Sequence, residues 1–230
     1  MSKKAELTGS HFPTIYLTVI SLLQGIALSQ LVPFVINYFK IYTTLPGSPW
    51  QDVRILPLAI TLLIIFIVWH HYAIGIFFLR WFPNIIDTII PFMVSIGQFF
   101  LISYLTVEDT IETINVNSWA VGFAIIMLSG SLAYFSAAIR LDPDLFANIM
   151  NRANAVAHCK RGKQFYGLSG IAIFIQGLFG AIIVLLHREE LLLISFIIMM
   201  LYLIISEYLM LTDIKPHFIR SLDEYDVDVE

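Results

Sequence analysis

Six stretches of this 230-residue chain are apolar enough, and long enough, to cross a lipid bilayer. A spanning helix needs about 20 mostly apolar residues to cross a hydrocarbon core of about 30 Å. None of the six stretches carries more than one Asp, Glu, Lys or Arg. The sequence therefore predicts an all-α polytopic membrane protein with six transmembrane helices. The predicted spans are residues 13–39, 55–79, 85–106, 119–139, 165–187 and 191–211.

The composition excludes several other classes of protein. Hydrophobic residues make up 58% of the chain, against roughly 45–50% in a soluble domain, and a soluble fold of this size could not bury them. The net charge of −4 gives no basic surface for nucleic acid. The single cysteine, Cys159, excludes an intramolecular disulfide and a Cys-based zinc site. We expect no cofactor, no metal and no enzymatic activity, since too little chain lies outside the spans for a soluble catalytic domain.

The distribution of Lys and Arg predicts the orientation, because cytoplasmic loops carry an excess of both. With the N-terminus in the cytoplasm, only Lys40, Arg54 and Arg188 lie outside. We therefore expect both termini to be cytoplasmic, in a prokaryotic inner (plasma) membrane. The basic residues then on the inside are Lys3, Lys4, Arg80, Arg140, Arg152, Lys160, Arg161, Lys163, Lys215 and Arg220.

The segment between the fourth and fifth spans, residues 140–164, has the pattern of a short amphipathic helix at the cytoplasmic surface. Asp142 followed by Pro143 is typical of a helix start, and Gly162 is a stop signal. An interfacial anchor and a docking helix for a cytosolic partner both remain open. Apolar residues recur at helical spacing at Leu145, Phe146, Ile149, Met150, Ala153 and Val156, and the basic residues expected to contact anionic headgroups or a partner are Arg152, Lys160, Arg161 and Lys163.

The chain ends in an acidic segment, residues 213–230. Five carboxylates surround Tyr225, and such runs are usually solvated and disordered. We expect a cytoplasmic tail, which is also a possible docking site for a cytosolic protein.

Polar side chains inside the spans are the main candidates for function, because they are costly in hydrocarbon. Counted along their helices at about 1.5 Å per residue, the five candidates fall in one layer roughly 8 Å thick. One interpretation is that they hydrogen-bond between helices and hold the bundle together. The other is that they line a narrow path for ions or water. The five are Gln24, His70, His71, Gln98 and Gln176.

Two carboxylates lie near the ends of spans. Asp87 is in the first turn of the third span, where the helix dipole favours a negative charge. Glu207 is near the end of the sixth span, where the dipole disfavours it, so we expect a basic partner such as Arg80, Arg140 or Lys163.

Small residues predict where helices approach each other closely. The sixth span has no glycine or alanine and is expected to face lipid. The first, fourth and fifth spans are expected to pack inside the bundle or against another copy. The residues that mark these contacts are Ser21, Gly25, Ser29, Ser129, Ala133 and Gly177.

Two short runs resemble known membrane families. Gly167-Leu168-Ser169-Gly170 resembles the GxSG motif of rhomboid intramembrane proteases, which implies a histidine base on a later helix, but the sixth span has no histidine. The run 66–71 and the Ile-Ala-Leu stretch after Gln24 are similar to six-helix lysosomal-type potassium channels. That family carries Arg-x-x-x-Phe-Ser-Asp on its first helix, and residues 18–24 lack its arginine and aspartate. Neither family is assigned.

The sequence leaves two functions open. The first is a non-enzymatic homo-oligomer, from dimer to tetramer, that forms an ion-permeable channel in the lipid bilayer. The second is a membrane sensor or anchor subunit that recruits or regulates a cytosolic effector through residues 140–164 and 213–230, as in bacterial stress or phage-defence systems.

Overall fold

The computed structural model of the chain describes residues 12–42, 55–78, 85–106, 116–147, 149–188 and 190–229, among which there is no strand. A 3-10 turn, Pro143–Phe146, precedes α5, and a π-helical turn, Met210–Ile214, joins α6 to α7. The helices are α1 (Phe12–Tyr42), α2 (Ile55–Phe77), α3 (Ile85–Thr106), α4 (Val116–Arg140), α5 (Arg152–Leu186), α6 (Leu191–Leu209) and α7 (Lys215–Val229).

Five helical stretches are long and apolar enough to span a membrane: α1, α2, α4, α5 and the run from α6 into α7. The predicted third span coincides with α3, whose apolar part, Ile89–Leu105, is shorter. The prediction of a helical chain of the membrane type is confirmed at this level.

The six long helices form a ring in the order α1, α3, α4, α5, α6, α2, and α2 closes the ring by packing on α1. Most of the interior is one apolar cluster centred on Trp119 and Phe123, neither of which has any exposed surface. A second cluster joins Ile20 of α1, Ile74 of α2 and Met210 of the π-helical turn at one end of the bundle. Both clusters are built from side chains of several helices, so the helices pack as one bundle.

The closest pair of helices is α4 and α5, and glycines of α5 make this approach possible. A Cβ on Gly177 would lie 2.7 Å from Cγ of Leu128, and one on Gly180 would lie 2.8 Å from the Phe123 ring. On α4, Ala133 is buried and Ser129 is half-buried. The seam between α4 and α5 is therefore set by residues with little or no side chain, as in other closely packed membrane helices.

The first helix differs from the expectation that its small residues lie inside the bundle. Ser21, Gly25 and Ser29 are exposed, and a Cβ on Gly25 would have no atom within 4 Å. The helix instead buries its other face, with Gln24 and Ala27 turned inward. Among the described residues, the space beside Gly25 is therefore open, although Ser21 of the same face contacts Trp69 of α2.

The predicted separate surface helix over 140–164 is wrong. Asp142 does cap a helical start, accepting a hydrogen bond from the backbone N–H of Asp144, but the 3-10 turn that follows is only four residues long. A new helix, capped by Asn151, begins at Arg152 and continues through the fifth span without a break at Gly162. An interior glycine costs only about 1 kcal/mol, and here it is buried in the packed face of the helix.

The predicted apolar face of this segment is also partly wrong. Phe146 and Met150 are buried, but Ala153 and Val156 are exposed. The buried residues of the first turns of α5 are Ala155, His158, Cys159 and Gly162. Because α5 begins at Arg152, and not at Asp142, the helical register differs from the predicted one and a different face turns inward.

The acidic segment is not an irregular tail. The backbone is helical from α6 through the π-helical turn to Val229. Its first part packs on the bundle, where the Phe218 ring lies 5.4 Å from the His158 ring and 5.9 Å from the Phe78 ring. Residues 213–222 therefore belong to the folded body.

Candidate functional site

Four side chains from four helices meet around a buried histidine; we name them the His71 cluster (His71, Tyr134, Ser169 and Tyr202). His71 is 4% exposed. The Tyr202 hydroxyl lies 3.1 Å from His71 Nδ1 and within hydrogen-bonding reach of the Ser169 and Tyr134 hydroxyls. The cluster therefore links α2, α4, α5 and α6 through one hydroxyl.

Aromatic rings surround the imidazole on several sides. The centroids of the Tyr134, Phe165 and Tyr202 rings lie 5.4–5.6 Å from that of His71. A cavity of about 50 Å³ borders the cluster, lined by His71 and Tyr134 among others. A water molecule needs about 10–15 Å³ and two to four polar partners, so the cavity is large enough for one water.

A second polar pair lies beside this cluster and reaches the surface. His70 contacts the Glu207 carboxylate through Nε2, its ring stacks on Phe66 at 5.7 Å, and it contacts His71 edge to face at 5.7 Å. Among the described residues, the partner of Glu207 is thus His70, and not Arg140 or Lys163 as expected from the sequence; Arg80, the third expected partner, lies outside them. His70 and Glu207 face each other because α2 packs on α6, a pairing that distance along the chain does not reveal.

The five predicted polar residues do not form one connected layer. Gln176 donates a hydrogen bond to the Ser195 carbonyl at 3.2 Å. Gln98 is completely buried, and neither of its amide atoms has a hydrogen-bond partner. Gln24 is 5% exposed, and its Oε1 is likewise without a partner. Among the residues that the structure covers, no hydrogen bond joins one of these glutamines to another or to His71.

Two interhelical hydrogen bonds were missed by the analysis of the sequence. The indole N–H of Trp119 donates to Thr61 Oγ1 at 3.1 Å, and that hydroxyl donates in turn to the Pro57 carbonyl. The indole N–H of Trp69 donates to Ser21 Oγ at 3.2 Å. Trp and Thr inside spans were taken as apolar, although a buried indole N–H usually needs an acceptor.

The side of α1 that faces away from the bundle carries exposed small and polar residues; we name it the α1 outer face (Gly25, Ser29, Gln30 and Asn37). At 3.6 residues per turn, Gly25 and Ser29 lie toward one edge of this face, and Gln30 and Asn37 lie toward the other. All four residues are exposed. The Ser29 hydroxyl donates to the Ile26 carbonyl of its own helix. The amides of Gln30 and Asn37 have no hydrogen-bond partner within the described ranges.

The basic residues near the start of α5 differ in their surroundings. Arg161 forms an ion pair with Asp213 of the π-helical turn, while Arg152, Lys160 and Lys163 are exposed. The other carboxylate singled out from the sequence, Asp87, falls in the first turn of α3, but its side chain lies outside the described part.

The structure also bears on two kinds of chemistry, catalysis by the serine of the GxSG-like run and metal binding. Ser169 of the GxSG-like run contacts Tyr202, which separates it from His71, so no imidazole is placed as a direct base for this serine. In the described part of the chain, no group of three His, Cys, Asp or Glu side chains is arranged to hold a metal ion.

Comparisons with family models, curated protein sequences and solved structures found no match to this chain.

Proposed function

We propose that this chain is a six-span integral membrane protein of a prokaryotic inner membrane, with both termini cytoplasmic. We further propose that it assembles with copies of itself through α1 and forms an ion-permeable path between them. The observation that carries this proposal is the α1 outer face, where the amides of Gln30 and Asn37 point away from their own protomer.

The argument from Gln30 is energetic. Gln30 lies twelve residues before the end of α1, about 18 Å along the helix, which is deep within a bilayer if α1 spans it. An amide in hydrocarbon without a hydrogen-bond partner costs about 2–7 kcal/mol. A second copy or a file of water removes that cost, and a lipid chain does not.

Gly25 and Ser29 support contact between copies. Helices in membranes associate where small residues let the backbones approach, and space beside Gly25 is open. We expect an assembly from dimer to tetramer. The amides of Gln30 and Asn37 would then face a shared axis, where amide oxygens can replace part of the hydration of an ion.

The path is placed between protomers because the interior of one protomer is filled. Trp119 and Phe123, in the first turns of α4, are completely buried among the other helices. Within the described residues, no hydrogen bond links Gln98 and Gln176 to each other or to the His71 cluster. Gln176, which donates from α5 to the Ser195 carbonyl of α6, supports the bundle-stabilising interpretation for that residue.

The test combines oligomer mass in detergent with ion flux into liposomes. We expect wild-type protein to be oligomeric and to conduct ions. Gln30→Leu and Gly25→Leu should each weaken association about tenfold, as expected for the loss of about 1.4 kcal/mol, and should lower flux with it. Gly167→Leu is the matched control. A Cβ at Gly167 also meets no atom within 4 Å, but this residue lies on α5 and not on the proposed contact between copies. A monomeric wild type, or flux unchanged in both α1 variants, would contradict the proposal.

One observation favours a second candidate, a membrane anchor that recruits a cytosolic effector. The π-helical turn and the helix α7 that follows it are held to α5 through the ion pair of Arg161 with Asp213 and the contact of Phe218 with His158. This function predicts that the purified protein conducts no ions and that Gln30→Leu leaves effector recruitment unchanged.

A further inference from the structure

A groove runs between α5 and α6 on the outside of the bundle. Its volume is about 270 Å³, far larger than the cavity beside His71. Leu168, Leu201 and Ile205 form its rims and are 53–59% exposed, so it opens sideways between the two helices. The full lining is Phe165, Leu168, Ser169, Ala172, Ile198, Leu201, Tyr202, Ile205, Ser206 and Leu209.

The chemistry of the lining favours an apolar occupant. Seven of its ten side chains have no hydrogen-bonding group. The three hydroxyls are already engaged: Ser169 and Tyr202 belong to the His71 cluster, and Ser206 donates to the Leu203 carbonyl at 2.9 Å. A water in the groove would lack the two to four polar partners that hold buried water. An acyl chain fills such a space and regains the dispersion contacts that an empty groove forfeits.

One end of the groove is charged. Arg161 lies one helical turn before Phe165, and Asp213 lies one turn after Leu209, so their ion pair closes the end that Phe165 and Leu209 line. Arg161 donates to Asp213 through Nη1, and its side chain is 38% exposed, so it remains accessible beyond this pair. Lys160 and Lys163 are exposed within two residues of it and add positive charge to this end of the bundle.

We propose that this groove is a binding site for an anionic phospholipid: one acyl chain lies between α5 and α6, and the phosphate contacts the guanidinium of Arg161, whose side chain is 38% exposed. Arginine donates to phosphate through several N–H groups in a fixed geometry, and Asp213 occupies only one of them. The site places the headgroup at the same end of the bundle as the apolar cluster around Ile20 and Met210. It shares with the proposed function only the premise that the chain lies in a bilayer, and it does not depend on ion flux.

The test measures binding of fluorescent phosphatidylglycerol and phosphatidylcholine with the same acyl chains to detergent-purified protein. Wild type should bind phosphatidylglycerol about tenfold more tightly. Ala172→Phe, which fills the groove, should weaken binding of both lipids about tenfold. Its control is Ile171→Phe, since Ile171 is 51% exposed on the same helix but does not line the groove, and this variant should bind as wild type does. If Ala172→Phe lowers the helix content, Ala172→Leu and Ile171→Leu replace the pair.

A second pair of variants tests the headgroup contact. Arg161→Gln removes the cation at this end of the groove, so it should abolish the preference for phosphatidylglycerol, whose headgroup carries a net negative charge. Binding of phosphatidylcholine, whose choline balances its phosphate, should stay unchanged. Arg152→Gln, at an exposed arginine nine residues earlier, should keep the preference. Equal binding of the two lipids by wild type, or equal binding by the Ala172 and Ile171 variants, would overturn the proposal.

Discussion

Replacing Gly177 with leucine should abolish the folded protein. A Cβ at this position would lie 2.7 Å from Cγ of Leu128 and 3.1 Å from the Leu128 backbone nitrogen. The Leu128 side chain could move, but its backbone belongs to α4 and cannot shift without separating α4 from α5. Overpacking a core usually costs about 1–3 kcal/mol for a few atoms, and forcing two helices apart costs more, out of a typical total of about 5–15 kcal/mol.

The measurement is the fraction of monodisperse, helical protein recovered in detergent. Gly167→Leu makes the same chemical change on the same helix, ten residues earlier, where no atom lies within 4 Å of the added Cβ. We expect near wild-type recovery for Gly167→Leu and almost none for Gly177→Leu. Equal recovery of the two variants would show that α4 and α5 do not pack in this way.

The second large effect is expected at Trp119, in the first turn of α4. This side chain has no exposed surface, stacks on Phe123 at 5.3 Å and donates to Thr61. Trp119→Ala should lower the free energy of unfolding by about 3–5 kcal/mol, the usual range for truncating a buried aromatic residue. The change is measured by titrating the detergent-solubilised protein with dodecyl sulfate and following helix content.

Two further variants separate packing from hydrogen bonding at this site. Trp119→Phe keeps an aromatic ring against Phe123 and loses the indole donor, and Thr61→Val removes the acceptor. We expect each to cost about 1 kcal/mol and the double variant to cost less than the sum, because both remove the same hydrogen bond. A loss below 1 kcal/mol in Trp119→Ala would contradict the placement of Trp119 in the core.

The spans could be predicted from the sequence, because length and apolarity are properties of a single segment. Residues 55–79 and 191–211 were predicted from their length and apolarity, and helices cover most of both. Asp142 with Pro143 was likewise a local signal, and the helical start occurs there. A local preference is outweighed when the free energy behind it is small. The helix end expected at Gly162 does not occur, because the surrounding face of α5 is buried.

The contacts between helices could not be predicted from the sequence, because they depend on which faces of the helices pack against each other. Glu207 pairs with His70, which lies 137 positions away in the sequence. The glutamines were predicted to lie at one depth, but depth does not determine the direction in which a side chain points. Within the described residues, Gln24 Oε1 and both amide atoms of Gln98 are buried without hydrogen-bond partners, while the exposed amide of Gln30 was overlooked. Tyr134 and Tyr202 were not among the candidates, yet their hydroxyls complete the site around His71.

The small-residue patterns likewise did not show which helix faces pack within one chain. Gly177 and Gly25 occur in similar contexts, in apolar helices among other small residues. The first packs against α4, and the second faces outward. Composition identifies surfaces suited to close contact, but the rest of the fold decides which surface is satisfied within one chain.

The central claim is that lipid surrounds these helices and that both chain ends lie on one side of the membrane. It is tested by labelling intact cells with a membrane-impermeant maleimide, in a Cys159→Ser background with single cysteines at chosen sites. The account predicts that Arg188→Cys is labelled from outside, while Lys160→Cys and cysteines added at each terminus are labelled only after permeabilisation. Labelling of the two termini from opposite faces, or of Lys160→Cys and Arg188→Cys from the same face, would contradict it.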